Sequence, residues 1–349
     1  MLPEDVAKTM KDMGEPAFRA KQIFSWIHKG AEIDEMSNLS KGLRERMKQI
    51  PLGGAEILEK RVSNIDGTAK YLFLLEDGQI IEGVFMQYKH GNTLCVSTQV
   101  GCRMGCSFCA STLEGLVRNV SAGEILGQIL AIEREQRQMG KVLPKERAIT
   151  NVVLMGSGEP LDNYEEIVRF LQLVNHPDGI CISMRNISIS TCGLIDKMND
   201  LANDAPNVTL CISLHAADDA LRQSMMPIAK KHTVQELIQA AREYVKKTSR
   251  RIIFEYAMVR DVNDRDEHME QLVALLQGFQ CHVNLIPLNE VKENDLKAST
   301  LPRAREFCNL LNQRGISATV RRELGDDIQG ACGQLRRGYL QEKKADGCK

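Results

Sequence analysis

The sequence predicts an α/β fold with a parallel sheet, preceded by a small helical segment and a β-hairpin. From residue 92 onward, short apolar runs alternate with longer amphipathic ones, which indicates parallel strands joined by crossover helices. Residues 1–50 carry apolar positions at helical spacing, whereas residues 55–90 alternate between apolar and polar positions. These observations favour a doubly wound sheet or a full or partial (β/α) barrel. Both architectures bind ligands at the carboxyl ends of their strands.

Length and composition are those of a globular protein of about two domains. The chain has 349 residues, of which 43% are hydrophobic and 26% charged, and this excludes a disordered or fibrous chain. The formal net charge is −1, so a nucleic-acid partner would have to be held by a local basic face. No apolar run is long enough to cross a membrane, and the acidic start lacks a signal-peptide pattern. We therefore expect a cytoplasmic protein.

The first two segments are predicted as accessory units. Residues 1–54 are predicted to form a helical accessory domain. Residues 1–50 contain nine Lys and Arg and eight Asp and Glu, which gives this segment a net charge of +1. Such a unit could bind RNA or simply pack on its own aromatic residues. Residues 55–91 form a hairpin extension, because the runs 70–75 and 80–86 are separated by Glu76, Asp77 and Gly78.

Residues 92–340 are predicted as the core domain, followed by a polar tail at residues 341–349. Ser121 with Glu124, and Thr233 with Glu236, predict capping boxes at the starts of two crossover helices. The predicted strands are residues 94–100, 151–155, 186–190, 208–213, 252–258, 283–287 and 318–321.

Eleven cysteines are present, and in a reducing compartment a cysteine cluster indicates a metal or catalytic site rather than a disulfide framework. Cys102, Cys106 and Cys109 lie in one loop directly after the first predicted strand. Structural zinc sites use four ligands, commonly in two pairs, and no second pair occurs. Three thiolates on a [4Fe–4S] cluster leave one iron open for the amino and carboxylate groups of a methionine moiety. The spacing therefore favours an iron–sulfur site over zinc. Five other cysteines have ordinary contexts and need no special role: Cys181, Cys211, Cys281, Cys308 and Cys348.

This cysteine motif, with Phe108 before its last cysteine, resembles the signature of radical S-adenosylmethionine (SAM) enzymes. Further motifs match one branch of these enzymes in order along about 240 residues. They lie at residues 94–102, 158–161, 189–191, 212–216, 284–287 and 325–335. The sequence thus resembles the RlmN/Cfr family of RNA methyltransferases. Its RlmN-type members methylate carbon 2 of adenine in 23S rRNA and tRNA, whereas the Cfr type methylates carbon 8. The resemblance implies a partial (β/α)6 TIM-like radical SAM barrel.

The resemblance also implies a cofactor site. A Gly-rich turn lets the backbone approach a ligand closely, although such turns are common by themselves. Ser157 departs from the methionine that the family has in this turn. The residues implied to bind SAM are Gly158, Glu159, Ser190, Ser213, Leu214, His215 and Asn289, and those implied to bind one [4Fe–4S] cluster are Cys102, Cys106 and Cys109.

The implied chemistry uses two SAM molecules per turnover, because the electron-poor carbon 2 cannot attack a sulfonium methyl group directly. Cys332, as thiolate, takes a methyl group from the first SAM. A 5′-deoxyadenosyl radical from the second SAM removes a hydrogen from that methyl group, and the resulting radical adds to carbon 2. Glu82 takes the carbon-2 proton, and Cys95 attacks the Cys332 sulfur to release the base and leave a disulfide bond. On the residues alone, Glu82 could be a solvated charge and Cys332 a structural cysteine.

The implied partners are 23S rRNA, tRNA and an electron donor such as flavodoxin or ferredoxin, with no membrane and a monomeric protein. Residues 301–349 contain ten Lys and Arg against six Asp and Glu, a surplus of four. Such a basic rim suits a polyanion, although arginines also solubilise a surface. A Cfr-type carbon-8 methyltransferase and a non-catalytic, zinc-stabilised RNA-binding protein are the alternatives. The arginines that flank Cys332 are Arg321, Arg322, Arg336 and Arg337.

Overall fold

The N-terminal part of the molecule is helical. The structure, a computed structural model, describes residues 1–50, 54–89, 91–143, 146–290, 294–328 and 334–346. Its first three helices are α1 (Pro3–Asp12), α2 (Phe18–His28) and α3 (Lys41–Met47). Buried side chains of these helices, including Met10, Phe24 and Leu43, belong to the same hydrophobic core as the strands that follow. The helical segment therefore packs onto the rest of the protein.

An antiparallel meander follows the helices. It consists of β1 (Ala55–Val62), β2 (Ala69–Leu75) and β3 (Ile80–Tyr88), and the predicted hairpin is confirmed as β2 and β3. β3 also pairs antiparallel with β4 (Gly91–Cys95), where Cys95 lies opposite Val84. The meander thereby extends one edge of the parallel sheet.

The strand predicted at residues 94–100 is wrong in its second half. β4 ends at Cys95, and the chain then forms β5 (Gln99–Gly101), which pairs antiparallel with β6 (Leu116–Asn119) in a separate two-stranded sheet. Between them, the backbone N–H and carbonyl of Ser97 bond to the side-chain amide of Gln128, each at 3.0 Å. Gln128 lies on α4 (Ala122–Gln138). A side chain therefore replaces a neighbouring strand at this point.

Strands and helices alternate in the described residues after α4. In order, these elements are β7 (Asn151–Leu154), α5 (Tyr164–Asn175), β8 (Ile187–Thr191), α6 (Ile195–Asp204), β9 (Thr209–Ser213), α7 (Asp219–Met225), α8 (Val234–Thr248), β10 (Ile252–Met258), α9 (Asp266–Leu276), β11 (Cys281–Pro287), α10 (Leu301–Gln313), β12 (Ala318–Val320) and α11 (Gln334–Asp346). β4 and β7–β12 are parallel and lie in sequence order, while β1 and β12 occupy the two ends of the ten-stranded sheet. Six helix-containing crossovers thus build an open, partial barrel, and the predicted fold class is confirmed.

Both predicted capping boxes are confirmed. Ser121 Oγ accepts from the Glu124 N–H at 3.2 Å at the start of α4, and Thr233 Oγ1 accepts from the Glu236 N–H at 3.2 Å at the start of α8. In each box the glutamate carboxylate bonds back to the N-cap residue and satisfies a second backbone donor of the helix end. Among the described residues, every helix is too short or too polar to span a lipid bilayer.

Candidate active site

A cavity of about 530 Å³ lies at the carboxyl ends of the parallel strands. This is the edge at which α/β folds bind their ligands. The predicted site residues that line it are Cys95, Cys102, Cys106, Cys109, Gly158, Glu159, Ser190, Ser213, His215 and Asn289. The fold therefore brings residues from six predicted segments of the sequence around one cavity.

The loop that carries the three cysteines connects β5 with β6. At its start, the Cys102 N–H donates to the Gly115 carbonyl at 3.0 Å. Further along, the Ser107 N–H donates to the carbonyl of Met225, the last residue of α7, at 2.9 Å. The loop is thus held at its base by its own return strand and at its tip by α7.

The environment of these thiols fits an iron–sulfur cluster. Burial raises the pKa of Cys102 to about 11, and burial together with the neighbouring thiols raises the pKa of Cys106 well above its ordinary value. Three thiolates here would need nearby positive charge, which the irons of a cluster provide. Among the described residues, no group of three His, Cys, Asp or Glu side chains is arranged so that it could bind a single metal ion. A [4Fe–4S] cluster does not require that arrangement, because each cysteine binds a different iron.

The turn after β7 packs closely against neighbouring backbone. Gly158 has φ +111°, and a Cβ at this position would lie 2.6 Å from the Gln99 Cβ, so only glycine fits. The buried Glu159 carboxylate accepts hydrogen bonds from the Leu161 N–H at 3.0 Å and the Cys192 N–H at 2.7 Å. Burial raises the pKa of Glu159. This carboxylate therefore joins the end of β7 to the end of β8 while it lines the cavity.

The ends of β8 and β9 are joined through Glu255 on β10. Ser190 Oγ donates to Glu255 Oε2 at 3.1 Å, and the Glu255 backbone carbonyl accepts from the N–H groups of Leu214 and His215 at 3.0 and 3.2 Å. The side chain of Leu214 lies in the hydrophobic core and is absent from the lining of the cavity. Asn289 is exposed at the rim, just after β11.

His215 connects the β9 loop to the cysteine loop. Its Nδ1 accepts from the Ala257 N–H at 2.9 Å, so the proton of the neutral ring is on Nε2. Burial lowers the pKa of His215 to about 3, which keeps the ring neutral at physiological pH. The ring also packs edge-to-face on Phe108, with centroids 4.8 Å apart. A neutral imidazole with one N–H donor is thus fixed in the cavity wall.

Cys95 lies at the end of β4 and lines the cavity, while its neighbours Leu94 and Val96 point into the hydrophobic core. Side chains alternate between the two faces of a strand, so Cys95 faces away from the core that its two neighbours enter. The predicted disulfide bond is not supported, since no disulfide joins two cysteines of the described part of the chain. Its other predicted member, Cys332, lies outside the described residues.

Glu82 lies on β3 and is buried in an ion pair, and it is not among the residues that line the cavity. The Lys70 Nζ atom is 3.3 Å from Glu82 Oε2. The other carboxylate oxygen accepts from the Arg336 N–H in the first turn of α11, at 2.5 Å. In addition, the Glu82 carbonyl accepts from Ser97 Oγ at 2.7 Å. The alternative interpretation of Glu82 as a solvated surface charge of a hairpin is therefore wrong.

The described residues that flank Cys332 in the sequence are both basic and acidic. Arg321 and Arg322 line the cavity, but so do the carboxylates of Glu290, Glu323 and Asp326. Arg336 forms an ion pair with Glu114 at 2.8 Å. The rim predicted from the arginines alone is consequently mixed in charge.

Sequence reasoning missed Glu255, Cys192 and Arg222. Arg222 is buried and donates to three backbone carbonyls: those of Cys192 at 2.7 Å, Leu214 at 3.1 Å and Ser213 at 3.2 Å. A position at a strand end could have pointed to Cys192, and a carboxylate inside an apolar strand could have pointed to Glu255. Nothing in the sequence distinguishes Arg222 from the exposed arginines of other helices.

Comparison with known proteins agrees with this geometry. The radical SAM superfamily model matches residues 96–273, and the model for the ribosomal RNA large subunit methyltransferase N-terminal domain matches residues 2–52. A probable dual-specificity RNA methyltransferase RlmN from Clostridium novyi (strain NT) is 50% identical over 345 residues, which cover 97% of each chain. The chain belongs to the RlmN family of radical SAM RNA methyltransferases.

Two further comparisons support membership of this family. A probable dual-specificity RNA methyltransferase RlmN from Clostridium perfringens (strain 13 / Type A) is 51% identical over 343 residues, which cover 97% of this chain and 96% of the relative. The crystal structure of a radical SAM methyltransferase from Sphaerobacter thermophilus has a TM-score of 0.90 and 41% identity, and the match covers 96% of this chain and 97% of that one. The protein is therefore an RNA methyltransferase that uses SAM and a [4Fe–4S] cluster.

Proposed function

We propose that the protein methylates carbon 2 of adenosine in 23S rRNA, at the peptidyl transferase centre, and in tRNA, at the adenosine 3′ of the anticodon. One observation carries this proposal. A single cavity is lined by the three-cysteine loop, by the ends of the parallel strands and by Cys95. Glu82 lies on β3, the strand with which β4 pairs, two residues from Val84, which is opposite Cys95. This arrangement supports the proposal, because methylation of an unreactive carbon requires a radical source and a resolving thiol close to the same base.

Three cysteines are proposed to hold the cluster: Cys102, Cys106 and Cys109. The proposed contacts with SAM come from Gly158, Glu159, Ser190, Ser213, Leu214, His215 and Asn289, with Leu214 contributing through its backbone because its side chain lies in the core. When bound, the cluster and SAM supply a 5′-deoxyadenosyl radical. The role of the protein residues is to keep this chemistry away from water and to place the methyl-bearing sulfur next to the base.

Cys332 is proposed as the methyl carrier, whose thiolate attacks the methyl carbon of a first SAM molecule and releases S-adenosylhomocysteine. Support comes from the helix that follows it in the sequence: α11 begins at Gln334, and the Glu82 carboxylate accepts from the Arg336 N–H in its first turn. Glu82 is the proposed base for the carbon-2 proton. Cys95 is proposed to attack the Cys332 sulfur and release the methylated base.

RNA binding is proposed to involve residues 1–54 and the arginines at the rim of the cavity, Arg321 and Arg322. The match of residues 2–52 to a methyltransferase N-terminal domain supports the first of these. The target base would have to leave its stack to reach the cavity. Within this proposal the protein works as a monomer in the cytoplasm, and a flavodoxin or ferredoxin supplies electrons.

Nucleoside mass spectrometry tests the proposed product. Reconstituted, reduced protein is incubated with unmodified 23S rRNA and with unmodified tRNA, and each RNA is digested to nucleosides. The proposal requires 2-methyladenosine in both substrates. A product of 8-methyladenosine would establish the Cfr-type alternative, and a zinc-containing protein that methylates neither RNA would overturn the proposal.

The roles of the two cysteines are tested by variants with different outcomes. Cys332→Ala should abolish methylation and keep the full iron content, since this residue is not a proposed ligand. Cys95→Ala should instead accumulate a covalent protein–RNA adduct, visible on a denaturing gel, because the thiol that resolves it is missing. Normal turnover by either variant contradicts the corresponding role.

A further inference from the structure

Arg222 is a buried cation for which the described part of the chain provides no ion-pair partner. Its side chain is 1% exposed, and it lies on α7, the helix whose last carbonyl holds the cysteine loop. The Nε and Nη2 atoms donate to backbone carbonyls. Among the described residues, no carboxylate lies within ion-pair distance of the guanidinium, whose hydrogen bonds from Nε and Nη2 go to backbone carbonyls alone. Burying an uncompensated charge in this way costs several kcal/mol.

The groups that interact with this charge belong to the proposed cluster site. Arg222 Nη2 donates to the carbonyl of Cys192, and the Cys192 side chain lies in one apolar cluster with Met225. Cys106 and Phe108 of the cysteine loop pack against this cluster, and the Met225 carbonyl accepts from the Ser107 N–H of the same loop. Asp219 of α7 accepts a hydrogen bond from the Val234 N–H instead. The place for an anionic partner that the described residues do not supply is therefore on the side of the cysteine loop.

A cluster bound by three thiolates supplies such an anion. Three thiolate charges exceed the charge of an oxidised [4Fe–4S]²⁺ core, so the centre is negative, and it becomes more negative by one charge on reduction. An adjacent fixed cation interacts more strongly with the reduced than with the oxidised form. In a buried environment this difference is poorly screened by solvent and salt.

We propose that Arg222 is the counter-charge of the iron–sulfur cluster and raises its reduction potential, so that the cluster accepts an electron more readily than the cysteine loop alone would allow. Arginine suits this position because its guanidinium keeps its charge when buried. The inference depends on the presence of the cluster and not on which RNA carbon is methylated.

The test is an anaerobic potentiometric titration of the cluster, followed by electron paramagnetic resonance. In Arg222→Gln, the new side chain is neutral and still a hydrogen-bond donor. The equilibrium constant for reduction of the cluster should fall by at least about tenfold, which lowers the reduction potential by about 59 mV for a one-electron couple. Iron content is measured for every variant, so that only loaded protein is compared. An unchanged potential in loaded Arg222→Gln overturns the proposal.

Arg103→Met is the matched control. Arg103 also lies in the cysteine loop, next to Cys102, but its side chain is 62% exposed and it pairs with Asp162 at 2.5 Å. Because its charge is already compensated and solvated, its removal should change the equilibrium constant by less than about twofold. A shift in Arg103→Met as large as that in Arg222→Gln would show that any nearby arginine has this effect, which contradicts the proposal.

A charge-retaining variant covers the case in which Arg222→Gln does not load iron. Arg222→Lys loses the planar donor geometry and keeps the positive charge, so the equilibrium constant for reduction of its cluster should stay within about twofold of the wild-type value. If this constant falls by tenfold or more in Arg222→Lys, hydrogen bonding rather than charge sets the reduction potential, and the proposal is wrong. This experiment measures a reduction potential and not an RNA product. Its result therefore does not depend on whether the proposed RNA specificity is correct.

Discussion

Two regions of the molecule each bury a cation almost completely, and they compensate it differently. In the meander, Lys70 is 0% exposed and lies 3.3 Å from a carboxylate oxygen of Glu82. Beside the cysteine loop, Arg222 is 1% exposed and bonds only to backbone carbonyls in the described residues. The meander therefore carries its own counter-charge, whereas we propose that Arg222 depends on a bound group. A buried charge without a partner in the chain indicates where a charged cofactor binds.

The largest effect is expected in the meander. Lys70→Met leaves the Glu82 carboxylate buried without its cation, and the free energy of unfolding should fall by about 3–5 kcal/mol. Replacing both residues, in Lys70→Met with Glu82→Leu, should recover most of that loss because no charge is left buried. Denaturant unfolding of the iron-free proteins measures both values. Equal stability of the single and double variants would contradict the assignment of a compensated pair.

A surface pair provides the control for this measurement. Lys197 lies 3.0 Å from Asp200, and both side chains are close to half exposed. Lys197→Ala should change the free energy of unfolding by less than about 1 kcal/mol, because solvent already screens the pair. A loss comparable with that of Lys70→Met would mean that burial is not what distinguishes the two lysines.

A buried histidine, His28, avoids the cost of a buried charge in a third way, because its side chain remains neutral. His28 Nδ1 accepts from the Ile180 N–H at 3.2 Å, where α2 packs on the barrel, and burial lowers the pKa of His28 to about 4. The unfolded chain therefore binds this proton more readily than the folded one. Below pH 6.5 the stability from His28 should decline toward pH 4, by about 1.4 kcal/mol per pH unit. Unfolding of wild type and His28→Gln across this range should show a shallower pH dependence in the variant, and identical slopes would contradict the account.

The smallest effect is expected from Arg222 when iron is absent. In the iron-free protein its counter-charge is missing, so Arg222→Gln should cost less than about 1 kcal/mol or even stabilise the fold, since it also removes an unfavourable buried charge. Denaturant unfolding of iron-free wild type and variant measures this difference. A loss as large as that of Lys70→Met would show that Arg222 is compensated within the chain and would remove the contrast between the two regions.

The sequence predicted the features that depend on local pattern. Alternating apolar runs predicted the parallel strands, and the spacing of Cys102, Cys106 and Cys109 predicted a loop that now lines the cavity. The end of β4 was missed because a side chain of α4, Gln128, takes the place of a strand partner at Ser97. Such a replacement depends on packing between distant segments, which strand periodicity does not report.

Charge compensation could not be predicted for the same reason. The hydrogen bond between the Arg336 N–H and Glu82 joins positions 254 residues apart, and nothing near Glu82 in the sequence indicates it. Arg222 is one of 45 Lys and Arg, and among the described residues burial separates only Arg222 and Lys70 from the others. Composition gives the number of charges, whereas the fold decides which of them lose their water.

The most direct test of the account is the formation of 5′-deoxyadenosine from SAM by reconstituted protein under strict exclusion of oxygen, with a strong reductant and RNA supplied. We predict that wild-type protein produces it and that Cys106→Ala, which lacks one of the three proposed cluster ligands, produces none. If the iron-loaded wild type yields no 5′-deoxyadenosine, or if Cys106→Ala yields as much as wild type, the cysteine loop is not the radical centre and the account is wrong.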